Sequence, residues 1–269
     1  MADVVQIVDG FSLTNRWLLY TSFMLAPAQF LGGVANNCPS NIGFLAYNWY
    51  TQVQWYFACQ NRELHALSLL PVHFNFIYAF SYLGGITSGN IFMGVFLGLG
   101  TAGVMILNNV SAWIAWQSNQ PEGFGVYEFF FFGWRKLSPG WHKFIMVWMI
   151  GDSFTALLCI VIAISVSIYV ARLDEDEDLP EVFGEVGWMS PAAQVQALRY
   201  PAIVVGAALM LVFGWPVIMW TELIVARNHI RSDTDWVAVW LFVAQVVTMV
   251  VPSCGTTLGC FRGAARATL

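Results

Sequence analysis

A single carboxylate, Asp152, stands inside the apolar run from Phe144 to Ala171, FIMVWMIGDSFTALLCIVIAISVSIYVA. A helix needs roughly 20 apolar residues to cross a bilayer. A charge near its centre costs roughly 2.5–3.5 kcal/mol on the mildest scale. Such a group is kept where it faces the protein interior, finds a partner or does work. Desolvation favours its neutral form, which can donate a proton. Glu222 is the second intramembrane acid, about a turn from Arg227, and either pairs with that arginine or belongs to a site. His73, on another apolar run, is a possible proton acceptor or a hydrogen-bonded packing residue.

The chain of 269 residues that holds these groups is 58% hydrophobic and 10% charged. Soluble domains are about 25% charged, so the composition predicts an integral membrane protein, all-α, with residues 1–269 forming one transmembrane helical bundle. Apolar runs fall near 17–35, 42–59, 64–83, 91–117, 144–171, 200–226 and 235–260. The run 42–59 is amphipathic and could lie in the interface, which would leave six spans plus an interfacial helix. Pro27 interrupts span one and Pro216 span six. With seven spans, Arg16, Arg62, Arg135, Lys136, Lys143, Arg227 and Arg231 share one face, against Arg172, Arg199, Arg262 and Arg266 on the other. The richer face should be cytosolic. This puts the N-terminus in the cytosol and the C-terminus outside or in a lumen, with the endoplasmic reticulum a candidate membrane. The acidic N-terminal stretch has no signal-peptide pattern, so the first apolar segment is expected to act as an uncleaved insertion signal. No lipid-anchor motif is evident.

The segment 118–143 combines Phe129 to Phe132, Trp134 and Trp141 with Arg135, Lys136 and Lys143. Aromatic and basic residues together belong at headgroup level, and a short interfacial helix is expected there, as an anchor or an access platform for an apolar substrate. The acidic run Asp174 to Asp178 lacks the spacing and glycine of a calcium loop and reads as a solvated connection. Gly94, Gly98 and Thr101 form a small-residue face on span four. No internal repeat is apparent. Cys38 and Cys260 would share a membrane face, so they are either a disulfide or, more simply, free thiols.

Measured from the basic-rich face at about 1.5 Å per residue, Asp152 lies about 13 Å deep, His73 about 16 Å and Gln245 about 15 Å. Asn48 comes to about 16 Å, Asn108 about 13 Å and Gln29 about 19 Å. Six helices thus bring a polar group to one layer. Asn48, Thr51, Gln52 and Trp55 share one face of span two; Trp148, Asp152, Thr155 and Cys159 line span five; Trp215 and Glu222 face alike on span six. Interhelical hydrogen bonding would account for the amides.

Several chemistries are excluded. Retinal binding needs an intramembrane lysine, and Lys136 and Lys143 lie in a loop. No metal-ligand spacing, nucleophile elbow or phosphate loop occurs, so no metal or cofactor is expected. Scattered basic residues give no support for nucleic-acid binding. The expected partners are membrane lipids and a lipid-soluble small molecule.

With 16% aromatic residues, 13 tryptophans and two intramembrane acids, the general plan of the chain resembles the small fungal integral-membrane terpene cyclases of meroterpenoid pathways. The resemblance is one of length, polytopic plan and aromatic richness, and rests on no shared motif. It implies protonation of an isoprenoid by Asp152 or Glu222. Trp55, Trp148 and Trp215 would fold the substrate and stabilise the cation, and His73 is a candidate base. Asn48, Gln52 and Tyr78 complete the expected substrate contacts. The alternative is a non-enzymatic bundle, either a small transporter or a structural or accessory protein.

Overall fold

The computed structural model describes residues 5–6, 9–29, 38–60, 91–118, 128–136, 138–172 and 191–250. His73, Tyr78, Cys260 and the acidic run lie outside them. The described chain is mostly helical: α1 (Leu13–Met24), α2 (Cys38–Gln60), α3 (Ile91–Ser118), α4 (Pro139–Arg172), α5 (Pro191–Arg227) and α6 (Trp236–Val250). Short strands β1 (Val5–Gln6) and β4 (Ile230–Arg231) pair in parallel, and β2 (Glu128–Phe130) and β3 (Trp134–Lys136) form an antiparallel hairpin.

Among the described residues, three helices contain stretches long and apolar enough to cross a membrane: Val95–Gln117, Pro139–Ser165 and Ile203–Arg227. Their outer faces are apolar, with Phe154 71% and Phe213 75% exposed. Such faces are costly in water and suited to lipid. α2, the amphipathic segment, packs between α3 and α6.

The directions of the helices follow from their contacts. Along α2 and α3, Trp49 donates its Nε1–H to the Gly100 carbonyl at 3.1 Å, and Asn108 Nδ2 donates to Gln52 Oε1 at 3.0 Å. Ala58 and Ala115 share one core cluster at their far ends, so these two helices run parallel. α4 runs antiparallel to α3, since Ser153 meets Asn109 while His142 stacks on Trp116. α6 is antiparallel to α2 and parallel to α1: Tyr50 and Asn15 both reach Asp235, and Ser22 reaches Gln245. α5 is antiparallel to α1, with Glu222 at Arg16 and Gly214 against Phe23. Gln60 and Ile91 therefore sit at opposite ends of the bundle.

Local chemistry sets several boundaries. Ser12 caps α1, its hydroxyl accepting from the Asn15 amide at 3.3 Å. α1 stops at Met24, with Leu25 as its cap, and helical backbone resumes over 26–29. Pro27 has no N–H to continue the ladder. Asp235 caps α6, its Oδ1 accepting from the amides of Val237 and Ala238 at 2.9 and 3.3 Å. Pro201 and Pro216 lie inside α5.

In the described part of 118–143, residues 128–136 form the β2–β3 hairpin and α4 already begins at Pro139, so the expected interfacial helix is not found there. Gly133 at φ +132° and Phe132 at φ +48° make the three-residue turn that no helix can contain. Aromatic side chains on either side suit strands.

Candidate functional site

Three polar constellations occupy the described bundle. The first is at the end where α1, α4 and α6 begin and α2, α3 and α5 finish. Arg16 grips Glu222 with two parallel bonds, Nε to Oε1 at 2.7 Å and Nη2 to Oε2 at 2.9 Å. Its Nη1 donates to the Phe11 carbonyl at 2.6 Å, and the Tyr20 hydroxyl donates to Glu222 Oε1 at 2.8 Å. Paired guanidinium–carboxylate bonds of this kind are among the stronger and more directional ones in proteins. Pairing with Arg227 does not occur; that residue binds Glu128 at 2.6 Å. Five residues apart, Glu222 and Arg227 point about 140° from each other around the helix. Beside this pair, the Asn15 side chain exchanges bonds with the Asp235 backbone at 3.0 and 3.1 Å, and the Tyr50 hydroxyl donates to Asp235 Oδ2 at 2.7 Å.

The second constellation is the amide layer. Asn48, Gln52, Asn108, Gln245 and Gln29 are all buried. They resolve into separate local bonds: Gln52 with Asn108, Asn48 Nδ2 with the Phe44 carbonyl, Gln29 with Ser40, and Gln245 with Ser22. Asn48 Oδ1, Asn108 Oδ1 and Gln245 Oε1 are buried with no hydrogen-bond donor among the described residues.

The third lies where α3 meets α4. Ser153 donates its hydroxyl hydrogen to Asn109 Oδ1 at 2.9 Å and accepts from Trp113 Nε1 at 2.9 Å. Asn109 and Trp113 also line an open groove of about 450 Å³, together with Ile106, Val110, Leu157 and Ile160. Its wall is apolar apart from Asn109, the Trp113 indole and Gln117 at one end.

The expected residues are distributed among these places. Asp152, half-buried on α4, immediately precedes Ser153. Trp148 and Trp215 are each 53% exposed on the outside of α4 and α5, whereas Trp55 is buried against Phe11. The described structure therefore does not gather the three tryptophans into a common wall. Nor does it join the two acids: α4 packs chiefly on α3, and Glu222 faces α1. Ser153, Asn109 and Trp113 are not among the residues expected at a site, and Arg16 is expected only as part of the basic face, not as the partner of Glu222. The available signals were a serine next to the intramembrane acid and a second asparagine beside Asn108 in an apolar helix. Among the described residues no group of three or more His, Cys, Asp or Glu side chains is placed to hold a metal ion. Cys59 is a buried free thiol and Cys159 a half-buried one.

Compared with known proteins, the chain matches no family model, no curated protein and no solved structure.

Proposed function

We propose that this chain is an integral membrane protein of seven crossings that receives a lipid-soluble small molecule, of the isoprenoid class, in the groove between α3 and α4. The topology is supported by helix direction. α2 and α3 run parallel, so Gln60 and Ile91 lie at opposite ends of the bundle, the arrangement a further crossing between them calls for. The remaining helices alternate, and Arg16, Arg135, Lys136, Lys143 and Arg227 collect at one end, which the positive-inside tendency assigns to the cytosol.

The groove carries the binding reading. Its volume of about 450 Å³ falls within the roughly 300–1,000 Å³ of small-molecule sites. Apolar walls suit a ligand partitioning from lipid, and the Trp113–Ser153–Asn109 relay fixes the polar groups that would orient it.

Acid-initiated cyclisation is the chemistry proposed for this site, favoured by the position of Asp152 directly before Ser153. A neutral carboxylic acid there would transfer its proton to an olefin, forming a C–H bond from the π electrons and leaving a carbocation on the neighbouring carbon. An indole face such as that of Trp113 would stabilise the cation, and proton loss to a base would end the reaction. Glu222, held by Arg16 and Tyr20, has a fastening role in this scheme rather than a donating one.

Photo-crosslinking with a diazirine-bearing prenyl analogue, with and without Val110→Trp to fill the groove, tests binding. Labelling of α3–α4 peptides that the substitution abolishes is expected. Absence of labelling would leave the non-enzymatic structural bundle. Product analysis on prenylated substrates with Asp152→Asn tests the chemistry; unchanged turnover in that variant, or binding without any product from the unmodified protein, removes the cyclisation.

A further inference from the structure

The β2–β3 hairpin hangs down the side of the bundle. Its open end is fixed at the level of residues 227 and 228: Asn228 exchanges bonds with the Glu128 backbone at 2.8 Å in both directions, and Arg227 pairs with the Glu128 carboxylate. Two residues further along, the Phe130 carbonyl accepts from Trp220 Nε1 at 2.9 Å. Trp220 lies about 10 Å deeper in α5 at the helical rise, so the strand descends along an apolar, membrane-length helix. The turn then reaches α4: the Phe131 ring sits 5.0 Å from Trp141 and 6.4 Å from Phe144. These residues open the stretch Pro139–Ser165.

At the tip, Phe132 is 88% exposed in a left-handed conformation at φ +48°. In water an asparagine or glycine would serve that turn better on both counts, since neither strains the backbone nor exposes a ring. Part of the backbone here is already paired, which lowers the cost of placing it at headgroup depth: β2 pairs with β3, Phe131 N–H bonds Gly133 O at 2.9 Å, and Trp220 takes the Phe130 carbonyl. Arg135 and Lys136 remain exposed near the open end, while the neighbouring acid, Glu128, is occupied by Arg227.

We propose that the hairpin is a membrane wedge. Phe131 and Phe132 are immersed among acyl chains just below the headgroups, and Arg135 and Lys136 hold anionic lipid headgroups above them. The wedge rests on the membrane-embedded reading of the bundle. Its tip stands at the end of the bundle where α4 starts and α5 stops, against the two helices that it bridges.

The full chain is reconstituted into nanodiscs with an environment-sensitive fluorescent amino acid at 132, at 154 or at 233. Lipids carry a nitroxide high or low on the acyl chain, in phosphatidylcholine with or without phosphatidylserine. Position 132 should be quenched by the shallow nitroxide and lose quenching by aqueous iodide. Position 154, on the outer face of α4, should respond to the deep nitroxide, and 233 to iodide. Iodide quenching at 132 equal to that at 233, with 154 still lipid-quenched, overturns the wedge alone. Loss of lipid quenching at both 132 and 154 overturns the membrane reading and the wedge with it. With Arg135 and Lys136 replaced by Gln, the phosphatidylserine-dependent part of the shallow quenching at 132 should vanish; its persistence overturns the headgroup contact.

Discussion

Arg16 and Glu222 are separated by 206 positions in the chain and joined by two hydrogen bonds of 2.7 and 2.9 Å. The pair fastens the first helix to the end of the fifth, and through Phe11 it also fixes the segment that enters α1. Arg16→Ala leaves a partly buried carboxylate with the Tyr20 hydroxyl as its donor among the described residues and should cost about 1.5–3 kcal/mol, the range for hydrogen bonds to charged groups. Glu222→Gln keeps one acceptor and should cost less. The exchange Arg16→Glu with Glu222→Arg should recover part of the loss, because the new guanidinium no longer reaches Phe11. Thermal unfolding in detergent, followed by tryptophan fluorescence, measures all three. Wild-type stability in Arg16→Ala would show that the pair is incidental.

The bond from Asn108 to Gln52 is a buried amide pair between two parallel helices. Asn108 Oδ1 already lacks a donor, so Gln52→Leu strands the Nδ2 group as well and should cost about 1–3 kcal/mol. Removing both partners as Gln52→Leu with Asn108→Leu should be milder than the sum of the singles. Intramembrane pairs couple by about 0.6 kcal/mol on average, with a maximum of about 1.7. A double-mutant cycle with no coupling would count against the bond.

Close approach of α2 and α3 depends on glycine at two places. A Cβ on Gly103 would overlap the Trp49 ring, and one on Gly100 would stand 2.6 Å from Leu45. Gly103→Ala should therefore destabilise by about 1–3 kcal/mol, the usual cost of overpacking. The Trp49 ring cannot simply retreat, because its Nε1 is bonded to the Gly100 carbonyl. Trp49→Phe introduced with Gly103→Ala should relieve the overlap, leaving mainly the loss of that bond. Urea or thermal unfolding of the three variants decides this, and an additive double variant would contradict it.

At the groove, Ser153→Ala deletes the hydroxyl that both Asn109 and Trp113 use. The proposed prenyl ligand should bind about tenfold more weakly, the equivalent of about 1.4 kcal/mol, while Ser153→Thr should largely preserve affinity. Fluorescence titration of the reconstituted protein provides the measurement. Equal affinity in the alanine variant would place the ligand elsewhere.

Much of the fold is legible in the amino-acid order. The long apolar stretches of α3, α4 and α5 stand out because a lipid-facing helix must be apolar over its whole length. The stop after Met24 follows from a proline that cannot donate. Burial of Asn48, Gln52, Asn108, Gln29 and Gln245 is also legible, since amides in apolar helices turn toward protein. Their grouping is not. Depth alone places them in one layer, but side-chain bonds form over only a few ångströms, and helix rotation divides the layer into separate pairs. The β2–β3 hairpin hides for another reason: four consecutive phenylalanines carry no period, and Gly133 acts only once the turn around it exists.

By itself the order of residues determined where apolar helices form, where they break and which polar groups must turn inward, because hydropathy, periodicity and backbone restriction act over neighbouring positions. Only tertiary structure decided that α2 and α3 run in the same direction, that Glu222 answers to Arg16 rather than Arg227, and that Ser153 joins Asn109 to Trp113. Those outcomes depend on the rotation of each helix about its own axis and on which ends share a face, quantities set by packing between segments far apart in the chain.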